Sequence, residues 1–384
     1  MSHPSVGRTE NVKTCMREAS VFAIVCFNPA NVCYLSNGFI ATITSRPVVA
    51  ILTQDGTRPA LLVHIQLKFT AYQALDNCAV FYYGSSDGDV GDTQFWQDGV
   101  ANILARASTP PDLVIGVEDD VATDQQTDLT RLFPGAEFTA ISHLLQRCRN
   151  IKDRYEISNC QKAADVAKTG INTATTTLQA GSSEIQAVLA AKATMHARWA
   201  DRYPRDKAMG VGSPKSGGAV SDTFPCHVLT GPNKFLLVAP PTNKVPQNQT
   251  VLVCCRATIN GYHAAIARTI VVGNAPGLDA RMLRHLHEIR PQVLSQIRPG
   301  VPFNTVYQQA YDLLQERGYD PPDEIGCLTG LEPHEVGALD ATTTLRFAPG
   351  MVLELKLSIA NSPTAKVQFS DTIVVTEHGC QCLT

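Results

Sequence analysis

Between residues 20 and 150 the chain alternates short apolar runs with stretches of helical period. VFAIVCF, RPVVAILT, ALLVHI and CAVFYY are rich in Val, Ile and aromatic residues and predict buried strands. DLVIGVEDD predicts another, leading into a helix near Asp128–Phe133. Such alternation predicts an α/β domain with a largely parallel sheet over residues 1–150. IKDRYEISNCQKAADVAKTGINTATTTLQ then predicts a long amphipathic helix, with Ile157, Cys160, Ala164, Ala167 and Ile171 on one face. It opens a second domain, residues 151–384. Ser183–Glu184 starts a further helix to about Trp199. DRYPRDKAMGVGSPKSGGAVS is rich in Gly, Pro and Ser and predicts a long loop, a lid or a solvated hairpin tip. KFLLVAP, TVLVCCRATI and YHAAIARTIVVG predict strands. Helices over Leu278–Ile297 and Asn304–Arg317 follow, then strands GMVLELKLSI and AKVQFSDTIVVT. Antiparallel strands with helices on one face make this half α+β.

Composition narrows the picture. The 384 residues suffice for two domains with sizeable cores, and 44% hydrophobic against 17% charged residues suits much buried surface. A net charge of −3 leaves no electrostatic footprint for nucleic acid. No apolar run is long enough to span a bilayer, and MSHPSVGRTENVK lacks the apolar core of a signal peptide. The twelve cysteines are scattered without repeated spacing, so reduced thiols in the cytoplasm are expected rather than a disulfide framework.

Several strings resemble the pita-bread family that includes creatinase, prolidase, aminopeptidase P and methionine aminopeptidase. NPANVCYLSNGF looks like a strand and turn early in creatinase and prolidase N-domains, and IKDRYEISNCQKAADVA like the helix that begins the catalytic domain. TGPNKF resembles S-G-P-N, and VLVCCRATINGYHAAIARTIVVG resembles the strand pair V-D-x-G…G-Y-x-x-D-x-x-R-T. GCLTGLEPHE resembles G-H-G-x-G-L-x-x-H-E. APGMVLELK resembles E-P-G-M-V-x-x-x-E, and SDTIVVTEHGCQCLT the closing E-D-x-x-x-V-T-x-x-G…L-T. The matches run in order from about residue 20 to the end. The resemblance implies a smaller creatinase-type α/β N-terminal domain before a pita-bread C-terminal domain that carries the active-site pocket.

Where that family holds two metal ions, this chain departs. The two aspartates correspond to Cys254 and Ala265, the histidine to Cys327, and the two glutamates to Lys356 and Ser370. A dinuclear centre needs carboxylates and an imidazole to hold and neutralise two dications. Two thiols, a methyl, an ammonium and a hydroxyl do not supply them, so neither a metal nor another cofactor is expected. Neighbouring positions persist: Gly261-Tyr262, Arg268-Thr269, His334-Glu335, Pro349-Gly350-Met351 and Asp371-Thr372. Creatinase is similar in lacking metals. Its catalytic histidine falls at Leu237, or at Val238 with a one-residue gap, and its carboxylates fall at Ala267 and Lys356, so its machinery is missing as well. Ser45-Arg46-Pro47 resembles an Arg-Pro whose arginine reaches the partner subunit's site, which implies a homodimer in which Arg46 binds a substrate anion.

Strand alternation assigns the remaining chemistry. Cys254 faces the pocket and Cys255 the opposite layer. His263, Ala265 and Ala267 share the pocket face, as do Glu354 with Lys356 and Gln368 with Ser370. The two alanines make the pocket roomy and apolar, lined also by Leu237. Lys356 is a base, acid or Schiff-base amine if burial lowers its pKa, or a structural partner of Glu354. His334 and His263 are the candidate proton carriers. Cys254 and Cys327 are candidate nucleophiles if a base stands nearby, or small hydrophobes if none does. A zinc site from both thiols and a histidine is a third option, opposed by the Lys356 cation.

Two functions compete. The first is a metal-independent enzyme acting on a small polar or amide-containing molecule by hydrolysis, elimination or cyclisation, of a kind suited to specialised metabolism. The second is an inactive peptidase fold that binds a ligand or protein, as in histone-chaperone subunits. An open pocket with convergent polar groups discriminates the first from the second.

Overall fold

In the computed structural model, residues 4–37, 46–68, 77–84, 93–108, 110–213, 218–220, 223–236, 239–275, 277–362 and 365–384 are described. They form two compact units. The first contains residues up to Arg149 and the segment from Gly210, and the second the rest. The excursion from Gly210 is what a single division at residue 150 does not contain.

The first unit is built on a six-stranded mixed sheet of β1 (Ala23–Cys26), β2 (Val49–Thr53), β3 (Ala60–His64), β4 (Ala79–Tyr83), β5 (Val114–Val117) and β6 (Glu137–Ala140), in the order β4-β3-β2-β1-β5-β6. β1–β2 and β2–β3 are antiparallel, and the other neighbours are parallel. Around it lie α1 (Pro4–Glu18), α2 (Pro29–Ser36), α3 (Trp96–Leu104), α4 (Thr123–Leu132) and α5 (Ser142–Asn150). The strand expected within NPANVCYLSNGF is instead α2. Asn28 caps it by accepting from Ala30 N, and Pro29 occupies the first turn, where its missing N–H costs nothing.

The second unit opens with α6 (Arg154–Gln179) and α7 (Glu184–Arg202). Each starts in a capping box, Asp153 with Glu156 and Ser183 with Gln186. The stretch expected to be a long loop contains a hairpin, β7 (Gly210–Ser213) with β8 (Gly218–Val220), that belongs to the first unit. An eight-stranded antiparallel sheet follows: β9 (Cys226–Leu229), β10 (Gln249–Ile259), β11 (Tyr262–Val272), β12 (Glu324–Leu328), β13 (Glu335–Asp340), β14 (Val352–Ser362), β15 (Ala365–Val375) and β16 (Cys380–Cys382). Its order is β13-β12-β14-β15-β11-β10-β9, with β16 beside β15. Of the strand expected from KFLLVAP, Leu237 and Val238 lie outside the described residues, and Lys234 and Phe235 belong to a 3-10 segment instead. Gly231–Phe235 is a single 3-10 turn, and Lys234 is buried with its ammonium on Thr250 and Asp279.

One face of the sheet is apolar and carries the helices. Val251, Val253, Cys255 and Ala257 pack with Ala163, Ala167 and Met195 of α6 and α7. Leu353, Leu355, Leu357 and Phe369 pack under α8 (Gly277–Gln296) and α9 (Phe303–Gln315). Between the two helix pairs Asp371 takes Arg268 at 2.5 Å and Arg290 at 2.7 Å. The intervening positions therefore face the other way. β10 and β11 are joined by Asn260 (φ 51) and Gly261 (φ 86), a two-residue turn with both φ positive that matches strand twist. It fixes the pairs Cys254↔Ala267 and Arg256↔Ala265. No helix among the described residues is long and apolar enough to cross a membrane.

The first unit contains one buried titratable carboxylate at a structural joint. Glu118 accepts from Phe27 N at 3.0 Å, and from Asn28 N and Asn31 Nδ2 at 3.2 Å, holding the start of α2 to the end of β5. Burial outweighs these donors and pushes its carboxyl from 4.5 up to about 7. The native state thus keeps a proton that the unfolded chain releases. This contribution to stability is complete below the unfolded pKa and is lost as pH rises through the folded one. Urea unfolding should show stability falling by up to about 3 kcal/mol between pH 4.5 and 7.5 from this group, and Glu118→Gln should flatten that slope. Identical slopes in both proteins would refute it.

Candidate functional site

The face of the second sheet opposite the helices encloses a cavity of about 570 Å³. Two cross-strand rows build its floor. His227, Cys254, Ala267, Ser370 and Lys356 stand opposite one another on β9, β10, β11, β15 and β14. Two positions along, Arg256 pairs with Ala265, Thr372 pairs with Glu354, and Glu354 pairs with Cys327 on β12. Ala265 and Thr372 are joined by hydrogen bonds between the Thr372 hydroxyl and the Ala265 backbone, at 2.8 and 2.9 Å. Residues directly opposite in an antiparallel sheet share a face, so register alone brings these side chains together.

Glu354 organises the second row. One oxygen accepts from Arg256 Nη2 at 3.0 Å and the other from Ser370 Oγ at 2.6 Å. Lys356 makes no ion pair or hydrogen bond among the described residues, so it does not pair with its neighbour Glu354. Cys327 Sγ lies 3.0 Å from Nδ1 of His334, which is exposed just before β13. Burial pushes the thiols of Cys254 and Cys327 up to about 12, with the Glu354 charge adding to it. Gly326 (φ 147) holds Cys327 in place. A Cβ there would meet the Glu354 carbonyl oxygen at 2.2 Å, so only glycine lets β12 lie this close to β14.

The segment presenting His334 is anchored from below. Glu335 turns away from His334, receives Lys152 Nζ at 2.6 Å and accepts from Leu331 N at 3.2 Å. His263 is on the cavity side of β11 by alternation but does not line the cavity. It is buried, its ring meets Thr258 Oγ1 at 3.0 Å and its backbone N donates to Gly330 O. Burial first, and then the Arg256 charge, press its pKa down to about 3, so it stays neutral and is unsuited to proton transfer near neutral pH.

Of the residues singled out from the sequence, Cys254, Ala265, Ala267, Cys327, His334, Glu354 and Lys356 line this cavity, and Ser370 touches it through Glu354. Leu237 and the alternative Val238 lie outside the described residues. Arg46 belongs to the first unit, where it donates to Gln66 Oε1 beside a separate cavity with His64 and Tyr83. Arg256 and His227 were missed. Arg256 was legible, because it lies two residues from Cys254 on one strand and so on the same face. His227 had no signal, since CHVL is too short to betray its period.

The residues present do not fit a pair of dications. Ala265 offers no donor, both Glu354 oxygens are engaged, and the Lys356 ammonium stands in the same wall. No group of three or more His, Cys, Asp or Glu with metal-holding geometry occurs among the described residues.

Comparison with known proteins places the chain. Residues 158–377 match the model for metallopeptidase family M24, and residues 8–151 that for the creatinase/prolidase N-terminal domain. An uncharacterized peptidase of Staphylococcus haemolyticus is 26% identical over 270 residues, covering 69% of this chain and 71% of its own. Among solved structures, the Xaa-Pro dipeptidase from Bacillus anthracis aligns with TM-score 0.79 at 20% identity, covering 99% of this chain and 97% of its own. The prolidase from Pyrococcus horikoshii gives 0.77 at 18%, covering 98% of each. The N-terminal domain of FACT complex subunit SPT16 from Cicer arietinum gives 0.70 at 14%, covering 99% and 95%. These structural likenesses show the fold.

The Lys152–Glu335 pair is 1% and 4% exposed. Lys152→Met strands a buried carboxylate and should cost about 3–5 kcal/mol in chemical denaturation, with part recovered on adding Glu335→Leu. A loss under about 1 kcal/mol would place the pair with ordinary surface bridges and refute its role as anchor.

Proposed function

The chain belongs to metallopeptidase family M24, and on that scaffold we propose a metal-independent enzyme that acts on a small polar or amide-containing molecule by acid–base chemistry. The supporting observation is the convergence in one open cavity of the Cys327–His334 pair, the Arg256–Glu354 pair and the Lys356 ammonium, with Cys327 and Lys356 at positions where the resemblance implies metal ligands. Such a cavity with a few convergent polar groups is what a small-molecule site requires. His334 is the proton carrier, since it is exposed and hydrogen-bonded within the cavity, whereas His263 is held neutral below it. Lys356 supplies a fixed positive charge or a proton, and Arg256 a second charge whose position Glu354 fixes. Hydrolysis, elimination and cyclisation all draw on this set. The same proposal makes the working species a cytoplasmic homodimer in which Arg46 meets a substrate anion in the partner's cavity.

The test is turnover of small amides by the purified full chain with and without EDTA. Activity should survive chelation, and His334→Ala and Lys356→Met should each lower kcat/KM by about a hundredfold. Activity abolished by EDTA and restored by manganese or zinc would sink the proposal. Tight ligand binding with no turnover would make the chain a binding scaffold instead.

A further inference from the structure

Building on the metal-independent enzyme proposed above, we propose that Cys327 is a covalent nucleophile with His334 as its base, and that the cavity takes acyl compounds bearing an anionic group held by Lys356. The first support is geometric. Sγ of Cys327 and Nδ1 of His334 are 3.0 Å apart, within the reach that defines a nucleophile and its base. Cys327 lies on β12 and His334 immediately before β13, and the register between these strands shifts between Cys327 and Leu328. Irregularities of this kind re-aim side chains next to active sites. Gly326 lets β12 lie close against β14, which positions the backbone that carries the thiol.

A second thiol in the same cavity supplies the contrast. Cys254 is pushed upward as strongly as Cys327, yet it makes no hydrogen bond with an imidazole among the described residues. Neither thiol stands as a thiolate near neutral pH, so a nucleophile here must lose its proton as it attacks. Only Cys327 has a base placed to take it.

Lys356 is the charge in the cavity that favours an anionic ligand, and exposed Glu324, at the start of β12, is the opposing charge that lines it. Both oxygens of Glu354 are engaged, which leaves Lys356 without a counter-ion among the described residues. Lys366 adds a further cation on the same face of β15. Burial and the Lys356 charge hold it below the usual lysine range, and its ammonium sits 5.2 Å over the Phe235 ring. The half-buried Lys356 ammonium, without an ion pair among the described residues, is relieved by an anion from the ligand. The alanines at 265 and 267 leave room beside it for an apolar acyl chain.

The chemistry closes without a redox partner. As Sγ bonds to the acyl carbon, its proton passes to Nδ1 of His334. The tetrahedral intermediate collapses by breaking the acyl C–N or C–O bond, and the imidazolium proton leaves on the amine or alcohol. A thioester on Cys327 remains. Water then attacks its carbonyl carbon, giving a proton to His334, and the C–S bond breaks as that proton returns to Sγ. The sum is hydrolysis to an acid and an amine or alcohol.

Two measurements on the full, reduced chain test this. In timed iodoacetamide alkylation at neutral pH, read peptide by peptide by mass spectrometry, Cys327 should react at least about tenfold faster than Cys254. His334→Ala should remove that advantage and leave Cys254 unchanged. Equal rates at the two thiols, or no effect of the variant, overturn the nucleophile–base pair. With p-nitrophenyl hemisuccinate and EDTA present, a burst of nitrophenol and a succinyl adduct on Cys327 are expected. The preference for this ester over neutral p-nitrophenyl acetate should disappear in Lys356→Met. No adduct on Cys327 overturns the covalent step, and an unchanged preference overturns the role of Lys356. EDTA-resistant amide turnover without an adduct would overturn this inference while leaving the metal-independent enzyme standing.

Discussion

The two-residue turn at Asn260–Gly261 sets the register of the β10–β11 hairpin, and the rest of the second unit is aligned to it. In a sheet covered by helices on one face, a slip of one residue would carry Cys254 and Arg256 into the helix layer and bring Val253 and Cys255 into the cavity. The turn prevents this because both of its residues adopt positive φ, which tolerates few alternatives. From β11 the alignment passes to β15 through Ala267↔Ser370, and from β15 to β14 through Ser370↔Lys356. On the helix side the same alignment brings Arg268 and Arg290 to Asp371. One turn therefore positions both the cavity chemistry and the ion pairs behind it.

The cavity reverses the electrostatic logic that the resemblance implies. A site for two dications is rich in carboxylates, whereas this one is lined by Arg256, Lys356 and imidazoles, with one buried carboxylate, Glu354, and one exposed carboxylate, Glu324. Glu354 is satisfied from both sides, so it acts as a brace for Arg256 and Ser370. The buried Lys152–Glu335 pair does comparable work beneath His334. Lys356 is then a positive charge with no ion pair among the described residues, on the floor near the thiol–imidazole pair, while exposed Glu324 brings a negative charge to the cavity edge.

Much of this was legible in the sequence because the second unit obeys simple periods. Strand parity assigns the faces of the β10, β11, β14 and β15 runs, so the partition of Cys254 from Cys255 and of Glu354 and Lys356 from Leu355 follows from counting. The long helix from residue 154 announced itself by its alanine-rich face. The misses have local causes. Residues 29–36 are apolar enough for a strand, but Asn28 and Pro29 start a helix. KFLLVAP has strand composition, but its first two residues, Lys234 and Phe235, close the 3-10 segment from Gly231, with the Lys234 ammonium buried on Thr250 and Asp279. His263 has the right parity for the cavity, and parity says nothing of the Gly330 backbone that covers it. The contact between Cys327 and His334 depends on a register irregularity that no period reveals.

The Asn260–Gly261 turn also bears on how the protein ages. Asparagine before glycine is the pairing most prone to cyclise, the side-chain carbonyl being attacked by the next backbone nitrogen, and the product is an aspartate or isoaspartate. Here the attacking nitrogen is engaged, because Gly261 N donates to Met209 O at 2.9 Å. The amide is tied at both ends as well. Nδ2 donates to Asp206 at 2.7 Å and to Asn159 at 3.0 Å, and Oδ1 accepts from Lys207 N at 2.8 Å. Deamidation would set a second carboxylate against Asp206 and discard two donors at the bend that fixes the hairpin. The bonds that shape the turn thus also slow its chemical decay, and the lifetime of the cavity is tied to a dipeptide far from its floor.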